Sequence, residues 1–173
     1  MKNHEDVLAI VEELKKLYPE GLCSLQYPKP YELLFSVRLA AQCTDERVNM
    51  VTPALFARFP TLESLAQADP AEVETYIHST GFFRAKARDI VAASRMLVEQ
   101  YGGRVPDTME ELLKLPGVGR KTANLILGDV YHTPGVVVAD THCIRITGRL
   151  GLTDGTNCLL YTSPSPRDGL LSR

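Results

Sequence analysis

The stretch LPGVGRKTANLIL (Leu115–Leu127) joins a tight glycine turn to the head of an apolar helix, and the rest of the chain is best read outward from it. The short helical run DTMEELLKL precedes it, so the local pattern is helix, hairpin turn, helix. Gly117 and Gly119, on either side of Val118, permit positive φ and let a backbone come close to a ligand. The turn presents amide N–H groups at a helix start, where the aligned peptide dipoles amount to about half a positive charge. That is a ready anion site, and a nucleic-acid phosphate fits it. The competing reading is an αα-hairpin with a glycine cap. Arg120 and Lys121 open the second helix, where an ammonium is opposed by the dipole. Lys121 is therefore either a solvated or phosphate-contacting lysine, or an amine kept neutral enough to form a Schiff base with a carbonyl-like carbon.

Nearly every flanking segment also reads as helix. EDVLAIVEELKKLY spaces Val7, Leu8, Val11, Leu14 and Leu17 at helical intervals, acids first and lysines last. YELLFSVRLAAQC is apolar almost all round, as expected of a buried central helix. TDERVNMVTPALFARF contains Pro53, which predicts a break or a new start. DPAEVETYIHS predicts a capping box from Asp69 and Glu72, with Pro70 at the first helical position. FRAKARDIVAASRMLVEQY is a long amphipathic helix stopped by Gly102 and Gly103. PGVVVAD is too short and unpartnered for a sheet and reads as a buried connector, before a last helix in THCIRITGRLGL. The final CLLYTSPSPRDGLLSR alternates Pro164 and Pro166 with serines and reads as a flexible tail.

Composition bounds the function classes. The 173 residues suffice for one domain or two small ones. No apolar run approaches the roughly 20 residues needed to span a bilayer, and the charged N-terminus has no signal-peptide core. Cytosolic residence with no membrane partner is the expectation. With 19 Lys and Arg against 21 Asp and Glu, the net charge of −2 requires any nucleic-acid contact to use a local basic patch. Cys23, Cys43, Cys143 and Cys158 form no metal-binding spacing and read as small hydrophobes, so no metal site is expected.

Four further positions carry two readings each. Asp140 follows the VVVA run and begins a helix, as an N-cap or as a general base or charge stabiliser. Its neighbour His142 is structural or titrates near neutrality. Phe82 and Phe83 sit on a glycine turn before Arg84, Lys86 and Arg88, either as core or as an aromatic tip that wedges a base stack beside phosphate-holding cations. Gln42 ends an apolar helix, as a cap or as a side chain reaching into DNA.

LPGVGRKTAN, followed by VADTHCIRITGRLGL and preceded in order by PYELLFSVRLAAQCTDERVN and TGFFRAKARDI, strongly resembles the endonuclease III family of bifunctional DNA glycosylase/AP lyases. The resemblance runs from Leu8 to Asn157. It implies an all-α, two-lobed helix–hairpin–helix glycosylase fold. The lobes are a six-helix barrel over residues 22–132 and an incomplete second lobe from residues 1–21 and 133–157. It implies a monomeric bacterial base excision repair enzyme that removes oxidised pyrimidines from duplex DNA and cleaves the abasic site. By position, Lys121 is the nucleophile and Asp140 the catalytic carboxylate. Gln42 and Phe82 fill and wedge the duplex when a nucleotide is flipped. Gly117, Val118, Gly119 and Arg120 clamp phosphate, aided by Arg84 and Lys86. A monofunctional adenine-mismatch glycosylase lacks the lysine at position 121. A helix–hairpin–helix DNA-binding fragment without turnover is the reading from another class.

The chain also departs from the family. Four closely spaced cysteines that hold a 4Fe–4S cluster in the family are absent, so no cofactor is expected. Residues 158–173 read as a non-native tail on a truncated chain, which leaves the first helix short of packing partners.

Overall fold

The computed structural model describes residues 3–19 and 23–153. All regular structure among them is helical: α1 (His4–Leu17), α2 (Pro30–Ala40), α3 (Asp45–Arg58), α4 (Leu62–Ala66), α5 (Pro70–Ile77), a 3₁₀ turn (His78–Thr80), α6 (Phe83–Tyr101), α7 (Met109–Leu112), α8 (Arg120–Asp129) and α9 (Thr141–Arg149). No helix among the described residues is long and apolar enough to cross a membrane. The chain divides into two units, Cys23–Thr133 and a discontinuous one made of Met1–Leu22 with Pro134–Arg173. The tail residues 158–173 lie outside the described residues.

In unit Cys23–Thr133, α2 is the axis. Pro30 starts it at N1, and Leu33, Leu34, Phe35 and Leu39 are all buried, as its all-round apolarity predicts. Each such side chain contributes roughly 1.5–3 kcal/mol on burial. α2 packs on α3, α6 and α8, while α6 also covers α4 and α5. Ile90, Val91 and Leu97 form the buried stripe of α6. Gly102, at φ +59, then takes the left-handed conformation that ends the helix, and the Gly103 N–H donates back to the Leu97 carbonyl.

Three local expectations are corrected. α3 runs unbroken through Pro53, which lies on the exposed side of the helix. Asp69 caps α5 through the Ala71 N–H, but no box forms with Glu72, which pairs instead with Arg58 at 2.6 Å. The capping box is at Thr61 and Ser64, on α4. The VVVA run is not a buried connector: Val137 is 51% exposed and only Ala139 is buried.

In the other unit, Asn3 caps α1 by accepting from the Asp6 N–H at 2.8 Å. Glu12–Lys15 and Glu13–Lys16 are exposed ion pairs of small worth. α1 buries no residue, and its stripe of Leu8, Val11, Leu14 and Leu17 is exposed.

One clasp closes unit Cys23–Thr133. The Tyr27 hydroxyl, before α2, donates to Asp129 at the end of α8. That bond pushes the phenol up to about 12, since the carboxylate and partial burial both favour the neutral form. An unfolded tyrosine titrates near about 10. The stabilisation is therefore complete below pH about 10 and lost as pH rises to about 12. Tyr27→Phe is expected to cost about 1 kcal/mol at neutral pH. The gap between variant and parent, from denaturant melts across pH, should close in alkali and stay constant below about pH 10.

Candidate functional site

The hairpin begins at α7, whose cap Thr108 accepts from the Glu111 N–H. Leu112 and Leu115 are buried, anchoring the near side, while Ala123, Ile126 and Leu127 bury the far side. Between them the Val118 N–H donates to the Leu115 carbonyl, Gly117 stands at φ +73, and Gly119 is the N-cap of α8. Gly119 offers no capping side chain, so no N-cap side chain covers the first turn of α8. Gly117 and Gly119 are exposed, and Val118 and Arg120 are half-buried. Lys121 is exposed and makes no hydrogen bond or ion pair among the described residues.

Beneath the turn lies a pair that the sequence reading missed. Arg38 of α2 donates through Nε and Nη2 to Asp89 of α6, at 2.8 and 2.7 Å. A Cβ at position 117 would stand 2.7 Å from Arg38 Nε and 2.8 Å from Asp89 Oδ2. Gly117 is thus required by its own φ and by the ion pair against which the turn rests. The available signal was Arg38 itself, a charge in the last turn of an apolar helix that needs a partner.

Gln42 and Phe82 share an unusual backbone. Among described non-glycine residues only these two and His132 have positive φ, at +55, +48 and +51. His132 is an ordinary helix stop, with Thr133 N–H donating to the Leu127 carbonyl behind it. Gln42 sits in the middle of a tight turn closed by Cys43 N–H to Ala40 O at 3.0 Å, a place suited to glycine. Phe82 heads α6 and is 70% exposed. Left-handed backbone at such residues costs of order 1–3 kcal/mol.

The basic patch beside Phe82 is smaller than expected. Arg84 and Arg88 are exposed, and the Arg84 guanidinium lies over the Phe83 ring. Lys86 is a correction: it is fully buried and faces no solvent. Its Nζ donates to the Thr80 carbonyl at 2.6 Å and the Leu39 carbonyl at 2.7 Å. Burial, and less so the Arg38 charge, push its amine down from the ordinary lysine value.

Asp140 belongs to the discontinuous unit. It caps α9, with Oδ1 accepting from the Cys143 N–H at 2.7 Å. The cap reading of Asp140 is therefore realised, with Oδ2 not used by that bond. His142 is exposed and lies 3.5 Å from Arg145.

Residues 35–159 match the model of the HhH-GPD superfamily base excision DNA repair proteins. An endonuclease III of Synechocystis sp. is 56% identical over 144 residues, which cover 83% of this chain and 66% of that protein. Two solved endonuclease III structures, a non-covalent DNA complex and a trapped covalent DNA intermediate, superpose with TM-scores of 0.84 and 0.83. Each is 39% identical, with 91% of this chain and 73% of that chain covered.

The chain belongs to the endonuclease III family.

It spans 66% of the length of its Synechocystis relative. The family's iron–sulfur cluster needs a convergent set of thiolates. Among the described residues no group of three or more His, Cys, Asp or Glu could hold a metal ion. Burial pushes the Cys23 thiol up from its ordinary value. The described cysteines do not fit the cluster.

The brace under Gly117 makes a direct prediction. Gly117→Ala meets both a left-handed φ and the Arg38–Asp89 pair, so it is expected to destabilise the protein by about 1–3 kcal/mol. Gly119→Ala, where nothing lies within 4 Å, is expected to cost far less. Equilibrium unfolding of the two variants compares them.

Proposed function

We propose that the protein is a base excision repair enzyme that removes oxidised pyrimidines from duplex DNA and cleaves the resulting abasic strand. It does so as a monomer in a bacterial cytoplasm. The observation that carries this is the placement of Lys121. An unpaired, exposed amine stands one residue inside a helix whose uncapped amides suit a phosphate, in a chain of the endonuclease III family. The related endonuclease III structures, described as a DNA complex and as a trapped covalent DNA intermediate, support duplex binding and covalent chemistry.

The chemistry follows from an amine and an anion clamp. Amides of the Gly117–Gly119 turn hold a backbone phosphate beside the lesion, and Gln42 and Phe82 occupy the space left by the flipped nucleotide. The Lys121 lone pair bonds to the sugar C1′ while the electrons of the C1′–base bond leave with the base. Opening of the sugar ring gives a protonated Schiff base. The iminium draws electrons from C2′, which loses its proton, and the new double bond expels the 3′ phosphate. Asp140 serves as the carboxylate that stabilises cationic sugar and accepts a proton through Oδ2.

Borohydride should trap wild-type protein covalently on abasic duplex DNA, and Lys121→Ala should abolish trapping while duplex binding persists. Undiminished trapping by that variant overturns the nucleophile assignment. Binding without trapping by the parent protein establishes the non-catalytic binding reading instead.

Asp140 separates cap from catalysis. Asparagine caps about as well as aspartate but carries no charge. Asp140→Asn is expected to keep the melting temperature and lose about 10²-fold or more in single-turnover base excision. Full activity in Asp140→Asn with lowered stability in Asp140→Ala would leave Asp140 as a cap alone.

A further inference from the structure

The exposed pair Gln42 and Phe82 raises a mechanical question. Each side chain is held out from the surface on a strained single residue, and neither makes a hydrogen bond or ion pair among the described residues. Beneath them lies Lys86, which bonds the main chain near each turn. Its side chain lies in unit Cys23–Thr133 with no solvent exposure, and its Nζ bonds two main-chain carbonyls. One is Leu39 O, three residues before Gln42, an end-of-helix carbonyl of α2. The other is Thr80 O, two residues before Phe82, at the end of the 3₁₀ turn. The Lys86 backbone N–H also donates to the Phe82 carbonyl at 3.2 Å.

We propose that Lys86 is a positioning residue that ties the Gln42 turn and the Phe82 turn into one rigid two-pronged element. The second step, that this element acts on duplex DNA, rests on the function proposed above. A lysine is suited to the task because one tetrahedral nitrogen carries several donors on a long apolar arm. It satisfies two carbonyls from segments far apart in sequence while its methylenes fill core. Burying such an amine is unfavourable. A methionine would serve packing alone, whereas the two short bonds, at 2.6 and 2.7 Å, fix carbonyls three residues before Gln42 and two before Phe82.

The sequence contains no tryptophan, so Phe82→Trp introduces a single fluorescent reporter at one prong. Met50→Trp, at an exposed position of α3, gives a control. Time-resolved anisotropy is measured in each background with and without Lys86→Met. The proposal expects a larger local wobble at position 82, the prong beside the Thr80 carbonyl, and no change at position 50. No change at position 82, or equal loosening at both positions, overturns it. Where Lys86→Met does not fold, Lys86→Gln is read in the same way, since its shorter arm cannot reach both carbonyls.

Single-turnover borohydride trapping on an abasic site in duplex and in single-stranded DNA then tests the second step. Lys86→Met should slow duplex trapping roughly tenfold, with little loss on the single strand, where no stack is opened. In a Phe82→Ala background the same change should have a smaller effect on the duplex, since only the Gln42 prong is left to position. Loosening at position 82 with unaltered duplex trapping upholds Lys86 as a positioning residue and sinks the duplex-wedging role of the pair instead.

Discussion

Position 117 must be free of a side chain, and much of unit Cys23–Thr133 follows from that. The Arg38–Asp89 pair joins α2 to α6, and the hairpin turn lies directly on it. Two guanidinium N–H groups converge on one carboxylate oxygen, Asp89 Oδ2, so the contact fixes where the turn comes to rest as well as adding some energy. The pair is partly exposed, which limits its contribution to stability. Its chief effect is on register: α8, its uncapped amides and Lys121 inherit their placement from a contact below the turn.

Energy is spent in the opposite direction a few residues away. Gln42 and Phe82 hold left-handed backbone, and Phe82 leaves most of an aromatic ring in water. Neither feature helps folding. They persist because the surrounding packing over-determines them, through buried Leu39, Thr80 and Ala87 and the two carbonyls held by Lys86. The negative net charge fits the same economy. Lys86 is removed from the surface, while Arg84 and Arg88 beside the Phe82 turn and Lys121 in the hairpin stay exposed.

The sequence was most legible where local rules decide. The burial of α2, the stop of α6 at Gly102 and the hairpin flanks were readable because apolar spacing and glycine conformations act within a few residues. Gln42 and Phe82 were readable as candidates but not as strained residues, since φ is invisible in composition. What escaped lies between segments distant along the chain. Arg38 and Asp89 are 51 positions apart, and Lys86 meets Leu39 across 47. Periodicity puts Lys86 among surface cations, whereas packing puts it in the core. Glu72 similarly leaves its local cap for Arg58, because a salt bridge to α3 competes with a bond to its own helix start.

The Tyr27–Asp129 bond has a topological consequence. It links positions 102 apart, close to the two ends of the unit that runs from Cys23 to Thr133. A body whose chain enters and leaves at neighbouring points can be spliced into another without stretching the host. The discontinuous unit is interrupted by just such a body. The same geometry makes the unit a candidate for circular permutation. A short linker could join residue 133 to residue 23, and new termini could open at the exposed Gly102 stop.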